Sequence, residues 1–450
     1  MLITSSIPRS IFNSAASANR PDPFSTARIA SRPRRQRLFV PCFRQNPGAT
    51  LRPMAEQNKS HPVQWTRRSF CARALAGTAV GVAARALKGA SEAEGDRQPG
   101  FIPGELHAME ATAAAFMRKY HVPGLSVAIA REGRLVYTQG FGLADKEKNE
   151  KVTPNHLFRI ASVSKPITAT TIFRLMESGK LRLSDKVFGA QALLGTDYGQ
   201  PPYQPHIEEI TVEHLLTHTA GGWQNDGSDP MFQHTEMDQQ RLIAWTIAHQ
   251  PLKNPPGTHY AYSNFGFCIL GRVIEKLTGK PYAQAVQEQV LGPCGISDMR
   301  LGGNTRAERA PDEVIYYDQD GEDPYGMNIR RMDSHGGWLA TATDLTRFLV
   351  RVDQFPTKPD ILKPATIEIM TTPSAASSGY AKGWCVNKYN NWWHMGGLPG
   401  TTTVMVRTSH QFCWAALTNT RVHGTLDADL DHLVWDMVGK ITTWPGCDLF

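Results

Sequence analysis

Hydrophobic and polar positions change their spacing several times along the chain, and each change predicts an element. The stretch GELHAMEATAAAFMRKY (104–120) repeats its apolar residues at helical spacing, which predicts an amphipathic helix. Residues 124–142 form two apolar runs separated by Glu132-Gly133, a pattern typical of a β-hairpin. Helical patterns and long loops then fill most of residues 185–345. The globular part therefore starts with a helix and strands and becomes mainly helical.

Strand patterns return towards the C-terminal end. They lie within GWCVNKY (383–389), NWWHMGG (391–397) and residues 401–419, and a helical pattern follows at 425–440. Strands at both ends with helices between them favour one antiparallel sheet assembled from N- and C-terminal parts. We therefore predict an α+β fold, in which N- and C-terminal helices flank the sheet and a mostly helical region is inserted. No internal repeat is found.

Composition and charge narrow the function classes. With 450 residues, 41% of them hydrophobic and 20% charged, the chain is long enough for a large core and has an ordinary globular composition. The net charge of +7 is unevenly distributed, because residues 1–98 hold sixteen Arg and Lys against five acidic residues. The remaining residues are slightly acidic, so no nucleic-acid partner is expected.

Residues 1–53 are rich in Arg, Ser and Pro and nearly free of acidic residues, which predicts no packed core. They are interpreted as a disordered extension, for which an organellar transit peptide is one reading, or as a mis-assigned start. In the second case translation begins at Met54.

Residues 54–98 have the order of an export signal followed by a linker. Arg67 and Arg68 precede a short apolar stretch, and ARA (84–86) offers a cleavage site. We interpret this as a twin-arginine signal, with a plain N-terminal tail as the alternative, and residues 99–450 as the catalytic domain. The apolar stretch is too short for a permanent membrane span. The mature protein is therefore expected to be periplasmic or extracellular.

Seven cysteines show neither CxxC nor paired spacing. Five of them lie beyond residue 98, and buried free thiols are the expected state, with one disulfide pair left open.

The candidate chemistry centres on RIASVSKPIT (159–168), where Ser162 precedes Lys165 by three residues, the single such pair in the sequence. Three residues are close to one helical turn, so the amine can reach the hydroxyl. Pro166 is tolerable only in the first turn of that helix, and Gly179 closes it. Ser162 would then lie at a helix N-terminus, where the dipole favours developing negative charge. The alternative is an exposed polar helix start.

Two further stretches turn this pair into a pattern. HYAYSNFGF (259–267) carries Tyr262-Ser263-Asn264 on a loop before a helix, and WWHMGGLPG (392–400) carries His394-Met395-Gly396-Gly397 at a strand end. In this order the chain resembles the serine β-lactamase and penicillin-binding protein superfamily, closest to its class C-like branch of D-aminopeptidases, D,D-peptidases and esterases. The likeness covers roughly residues 100–445, including LLTHTAGG (215–222) and GGWLATATDLTRFL (336–349).

The resemblance implies a β-lactamase/transpeptidase-like fold and an acyl-enzyme mechanism. Ser162 would be the nucleophile and Lys165 its base, if burial and nearby positive charge keep the amine partly neutral. Tyr262 would carry a proton to the leaving group and help to activate the deacylating water. The backbone N–H groups of Ser162 and Gly397 would form the oxyanion hole. The substrate-binding and oxyanion residues implied by the motifs are Asn264, His394, Gly396 and Gly397.

Several of these roles have alternatives. Tyr260 is the rival of Tyr262 for the proton carrier. Asn264 is expected to bond the Lys165 amine or the substrate amide, but could instead cap the following helix. Ser263 is expected to be a spacer, and His394 could be a structural residue.

The third motif departs from the β-lactamase pattern, because His394 and Met395 stand where Lys and Thr would receive a substrate carboxylate. Histidine is mostly neutral near pH 7, and methionine donates no hydrogen bond. We therefore predict a serine hydrolase of ester or amide substrates, with β-lactams or D-amino-acid peptides less favoured. The alternative is a non-catalytic penicillin-binding-like envelope protein. Specificity is expected to lie in loops such as 222–240 and 303–332.

Two other hydrolase classes fit poorly. EHLLTH (213–218) places His214 and His218 one turn apart without HExxH or a third ligand, so a helix-packing role is expected. GLSVA (124–128) fails the GxSxG pattern at its last position. We therefore expect no metal and no cofactor. The expected partner is a small-molecule or peptide acyl substrate, and the sequence does not indicate an oligomeric state.

Overall fold

A computed structural model describes residues 100–424 and 426–450. The predictions for residues 1–98, including the twin-arginine signal, lie outside the described residues. The α-helices are α1 (Pro103–Tyr120), α2 (Ser164–Glu177), α3 (Val212–Leu216), α4 (Gln239–His249), α5 (Asn264–Thr278), α6 (Tyr282–Val286), α7 (Asp333–Gly336), α8 (Ala342–Leu349), α9 (Pro364–Thr371) and α10 (Leu426–Val438).

The strands belong to one large sheet and two small ones. They are β1 (Gly124–Arg131), β2 (Arg134–Asp145), β3 (Glu150–Lys151), β4 (Phe158–Arg159), β5 (Arg300–Leu301), β6 (Tyr317–Asp318), β7 (Trp338–Ala340), β8 (Cys385–Val386), β9 (Trp392–Leu398), β10 (Thr401–Arg407), β11 (Phe412–Thr418) and β12 (Thr420–Arg421). The large sheet has the order β3-β2-β1-β11-β10-β9-β8, and each of its pairs is antiparallel. The prediction of one sheet built from both ends of the domain is therefore confirmed.

The hairpin between β1 and β2 turns at Glu132 and Gly133, as predicted. Both residues have positive φ, 51° and 75°, as a two-residue type I′ turn requires. Helices α1 and α10 cover one face of the large sheet with a core of their own. The other face packs on α8 and on the inserted helical region, which forms a larger core. The sheet is thus buried on both sides.

A small sheet, in the order β4-β7-β5, places the chain just before Ser162. The Thr401 hydroxyl donates to the Arg159 carbonyl at 3.0 Å, and the Thr403 hydroxyl to the Ile160 carbonyl at 2.9 Å. These bonds from β10 tie the end of β4 to the large sheet. The segment that carries Ser162 therefore lies where the sheet meets the helical region.

Three cysteines in the described part of the chain, Cys268, Cys294 and Cys413, are buried free thiols, as expected. None of the helices between residues 100 and 450 that the structure describes is long and apolar enough to cross a membrane.

Candidate active site

Ser162 lies in a single 3₁₀ turn, Ala161–Val163, that leads directly into α2. Its side chain is partly exposed, whereas Lys165 is fully buried. Ala161 has a φ of 48°, a left-handed conformation that non-glycine residues adopt rarely, and it turns the chain sharply before the serine. Gly179 follows the end of α2 with a φ of 73°, as predicted. The Ser162 N–H lies in the first turn, where backbone donors lack helical acceptors.

The Lys165 amine has three polar neighbours. Its Nζ lies 3.0 Å from Ser162 Oγ, 2.8 Å from Asn264 Oδ1 and 2.9 Å from the His335 carbonyl oxygen. Burial lowers the pKa of Lys165 well below its ordinary value, and the charge of Asp229 opposes this shift. The expected effect of burial is therefore present, but the charge that acts on the amine is negative rather than positive.

The donor count assigns the direction of the contact with Ser162. A neutral amine has two N–H donors and one lone pair. The two donors are taken by the oxygens of Asn264 and His335, which can only accept. In this neutral form, which burial favours, the lone pair is left for the Ser162 hydroxyl, as a general base requires, whereas the ammonium form donates to Ser162 Oγ.

Tyr262, and not Tyr260, faces this centre. Lys165 Nζ lies 4.9 Å from the centroid of the Tyr262 ring. Burial raises the pKa of Tyr262 well above its ordinary value, and the nearby Ser162 hydroxyl opposes the shift. The contact with Ser162 lies outside ordinary hydrogen-bond geometry, so the Tyr262 hydroxyl has no well-formed partner among the described residues. A neutral phenol next to the nucleophile is suited to give up a proton rather than to act as a base.

One expectation for the Tyr-Ser-Asn segment is wrong, whereas Asn264 bonds the Lys165 amine as expected. Ser263 is not a spacer, because it caps α5 by accepting a hydrogen bond from the Gly266 N–H at 3.0 Å. Asn264 is therefore not needed as the cap. Its side chain instead joins the site, with Oδ1 towards Lys165 and Nδ2 towards Asp229 Oδ2 at 2.9 Å.

Gly396 allows β9 to approach the nucleophile segment. A Cβ at this position would lie 2.3 Å from the Ile160 carbonyl oxygen and 3.1 Å from Ala161 Cβ. A side chain could be accommodated here only if the chain before Ser162 moved. The glycine is thus required by close packing.

The Gly397 N–H points towards the free side of β9. Leu398 and Thr401 close a two-residue hairpin. The closing pair of such a hairpin is ordinarily the hydrogen-bonded one, so the next pair, Gly397 and Thr402, falls in the non-bonded register. Strand β8 pairs with β9 only at Trp392 and Trp393. The Gly397 N–H is therefore directed away from β10 and is available to a ligand beside the Ser162 segment.

His394 faces the aromatic residues of the site. Its Nε2 lies 3.2 Å from the Tyr380 hydroxyl, and its Nδ1 lies 2.7 Å from the Met395 carbonyl oxygen. The carbonyl must accept, so Nδ1 carries the proton and Nε2 accepts from Tyr380. Burial and the charge of Lys165 lower the pKa of His394 to about 3. Met395 points to the opposite face of β9, where it packs on the core of α1 and α10. The two residues therefore do not form one carboxylate site.

His218 packs on a helix, as expected, since its ring centroid lies 5.1 Å from that of Phe267 in α5, but it has a second role. It lies beyond the end of α3, with a φ of 57°, and its ring centroid is 4.2 Å from that of Tyr262. Its carbonyl accepts from the Ala261 N–H at 2.8 Å, and its Nδ1 accepts from the Ser263 N–H at 3.0 Å. His218 thus holds the loop that presents Tyr262.

Sequence reasoning also missed Asp229 and Tyr380. Both are fully buried, and each makes contact with a residue of the motifs. Asp229 lies in the loop 222–240, which was expected to hold specificity residues without further assignment. Within the described residues no group of three or more His, Cys, Asp or Glu side chains is arranged to hold a metal ion.

Comparisons with known proteins identify the family. The family description "Beta-lactamase" matches residues 109–438. The chain is 30% identical over 239 residues to esterase EstB of Burkholderia gladioli, and this match covers 49% of the chain and 57% of the esterase. It is 28% identical over 308 residues to penicillin-binding protein 4* of Bacillus subtilis (strain 168), covering 63% of this chain and 64% of that protein. The matches thus span less than two thirds of either relative.

Solved structures share the fold. The octameric penicillin-binding protein homologue from Pyrococcus abyssi superposes with a TM-score of 0.61 at 23% identity, covering 74% of this chain and 77% of that one. The D-amino acid amidase from Ochrobactrum anthropi SV3, complexed with L-phenylalanine amide, gives a TM-score of 0.61 at 22% identity, covering 75% and 98%.

Proposed function

The chain belongs to the β-lactamase family, and on this premise we propose that it is a serine hydrolase that acts on uncharged ester or amide substrates through a covalent acyl-enzyme. One observation carries the proposal: the buried Lys165 amine contacts the Ser162 hydroxyl while its other two contacts are fixed acceptors. A binding protein has no need of a serine paired with a desolvated amine.

Acylation follows from the positions of the groups. The Lys165 lone pair takes the Ser162 proton as Oγ attacks the substrate carbonyl carbon, and the N–H groups of Ser162 and Gly397 stabilise the oxyanion. The Tyr262 hydroxyl then donates its proton to the leaving alcohol or amine, and the lysine ammonium reprotonates Tyr262. The C–O or C–N bond breaks, and the acyl group stays on Ser162.

Deacylation uses the same groups in reverse. Water attacks the acyl carbonyl and gives its proton to the neutral Lys165–Tyr262 pair. The Ser162–acyl bond breaks, the serine oxygen regains a proton, and a carboxylic acid leaves.

Substrate preference follows from the neutral state of His394 at the third motif. His394 has a pKa of about 3, so it is neutral near pH 7, and its two nitrogens are engaged with Tyr380 and with a backbone carbonyl. It therefore offers a substrate carboxylate neither a charge nor a free donor. The site suits neutral acyl compounds better than anionic β-lactams.

The decisive experiment is labelling with a fluorophosphonate probe and intact-mass spectrometry. Wild-type protein should gain one adduct, which peptide mapping should place on Ser162. Ser162→Ala should lose the adduct and reduce kcat for p-nitrophenyl butyrate by on the order of 10⁴ or more, as loss of one member of a catalytic unit does elsewhere. An adduct that persists in the variant would remove Ser162 from the mechanism. An unlabelled wild type would support the non-catalytic alternative.

We also propose export by the twin-arginine route, supported by Arg67 and Arg68 ahead of a weakly apolar stretch.

A further inference from the structure

Asp229 is a buried carboxylate that connects to the candidate nucleophile through two other side chains. It caps the short 3₁₀ helix Pro230–Phe232, where Oδ1 accepts from the Met231 N–H at 2.9 Å. Its Oδ2 accepts from Asn264 Nδ2 at 2.9 Å. Since Asn264 Oδ1 contacts Lys165 and Lys165 contacts Ser162, the four side chains form one continuous chain of hydrogen bonds.

The orientation of the Asn264 amide decides what the Lys165 lone pair can do. With its oxygen towards Lys165, the amide takes an N–H of the amine, and the lone pair remains for Ser162. With the amide reversed, its NH₂ group would face Lys165 and would occupy the lone pair. Ser162 would then lose its base, and the Asn264 oxygen would face the Asp229 carboxylate with no proton between them.

An ionised carboxylate can only accept hydrogen bonds, so it permits one orientation of the amide facing it. We propose that Asp229 is a positioning residue for acylation: its carboxylate holds the Asn264 oxygen towards Lys165 and thereby keeps the lysine lone pair on Ser162. This inference rests on the proposed function, because it assigns the residue that keeps the base of that reaction correctly oriented.

The charge of Asp229 also acts on the amine. Burial raises the pKa of Asp229 to about 6, while its hydrogen bonds and the charge of Lys165 oppose the shift. Above that pH the carboxylate is ionised and raises the pKa of Lys165. Other titratable groups whose charges or pKa values are coupled to this pair are Tyr262, Arg331, His218, His335 and His394. The pKa values of the three histidines are lowered, chiefly by burial, which disfavours their charged forms.

Asp229→Asn tests the orientation. The new amide can accept from Met231 only with its own NH₂ towards Asn264, which favours the reversed Asn264 amide. All hydrogen bonds can be satisfied, so Tm should change little, while kcat/KM for p-nitrophenyl butyrate should fall about 10- to 100-fold. Loss of the negative charge lowers the pKa of Lys165, so the ascending limb of the pH–rate profile should move to lower pH by about one unit.

The exchange variant, which combines Asp229→Asn with Asn264→Asp, should shift the ascending limb of the pH–rate profile in the opposite direction. The amide now at position 229 can donate to the carboxylate now at position 264, and that carboxylate can accept from Lys165. The hydrogen bonds therefore persist, but the negative charge lies next to the amine. The pKa of Lys165 should rise, and the ascending limb should move to higher pH by about one unit.

Asp226→Asn is the matched control, because Asp226 lies in the same loop and bonds Ser228 instead of the site. Its pH–rate profile should match that of the wild type.

Opposite shifts of the ascending limb in the two variants would support the inference. If Asp229→Asn proves too unstable to assay, a shift to higher pH in the exchange variant would support it alone. If wild-type protein is labelled at Ser162 but neither variant moves the ascending limb, Asp229 is merely structural and the inference falls while the proposed function stands. If wild-type protein is not labelled, both fall.

Discussion

At the scale of single residues, the site combines groups whose ordinary charges are suppressed by burial. Lys165, Tyr262 and His394 are all at most 2% exposed, and burial is the largest cause of each pKa shift. The lysine and histidine are pushed towards their neutral forms, and the tyrosine is kept in its neutral form. The neutral Lys165 amine can therefore accept the Ser162 proton, and the neutral Tyr262 hydroxyl can donate one.

The neutral state of His394 leads to a prediction about substrates. A carboxylate-bearing cephalosporin gains no charge-assisted hydrogen bond from His394, and such a bond is worth about 1.5–3 kcal/mol. We therefore expect p-nitrophenyl butyrate to be hydrolysed with a kcat/KM at least about 10-fold above that of a chromogenic cephalosporin. His394→Lys should narrow this difference in kcat/KM, because the new ammonium can form an ion pair with the substrate carboxylate. Parallel steady-state assays of the wild type and of His394→Lys with both substrates measure the ratio of the two kcat/KM values.

A cephalosporin rate that equals the ester rate in the unmodified protein would contradict this prediction. Arg421 would then be the cation to examine, because its Nε lies 3.8 Å from where a Cβ on Gly397 would be. Its guanidinium already lies 3.6 Å from Glu322 Oε2 and 3.2 Å from His423 Nδ1. We expect its charge to be compensated there.

The sequence predicted those site residues whose signal is local. Ser162 and Lys165 are one helical turn apart, and the resemblance supplied Tyr262 and Asn264 through a short motif. Asp229 carried no such signal, because its bond to Asn264 spans 35 positions and starts from a loop without periodicity. The second acceptor for Lys165 is the backbone carbonyl of His335, 170 positions away, which no residue type could have indicated.

At the scale of elements, the nucleophile segment is held between two strands and a helix. The Thr401 and Thr403 hydroxyls of β10 fix the carbonyls before Ser162, while α2 starts immediately after it. The long strands were predicted from their sequence pattern, and α2 was predicted from the positions of Pro166 and Gly179. The small sheet of β4, β5 and β7 was not, because strands of two or three residues are too short to show alternation.

Gly396 tests this arrangement. In Gly396→Ala the new Cβ would lie 2.3 Å from the Ile160 carbonyl and 2.5 Å from Thr403 Oγ1, so β9 and the Ser162 segment must separate. We expect a loss of about 1–3 kcal/mol in the free energy of unfolding, the usual range for overpacking, and slower fluorophosphonate labelling. Thermal unfolding and labelling kinetics measure the two effects.

Gly104→Ala is the matched control, because no atom lies within 4 Å of its added Cβ. It should unfold and react like the wild type. A Gly396→Ala protein that is labelled at the wild-type rate would show that the close approach of β9 is not needed to position Ser162.

At the scale of the whole molecule, the sheet joins residues that are far apart along the chain. Strand β1 near the start of the domain lies between β2 and β11, and residues 125–131 pair with residues 412–418. The central pairing of the sheet can therefore form only after almost the entire domain has been synthesised. An export route that carries folded proteins suits such a topology, since the chain can complete its sheet in the cytoplasm first.

This topology, together with Arg67 and Arg68, leads to the last prediction. Replacing both arginines with lysine keeps the charge but removes the paired guanidinium groups of a twin-arginine signal. We expect full-length precursor to accumulate in the cytoplasm, with its specific esterase activity unchanged, because both positions lie outside the domain that holds the site. Immunoblots and activity assays of cytoplasmic and periplasmic fractions measure both. Export of the double variant at the wild-type level would show that the chain leaves the cytoplasm by another route.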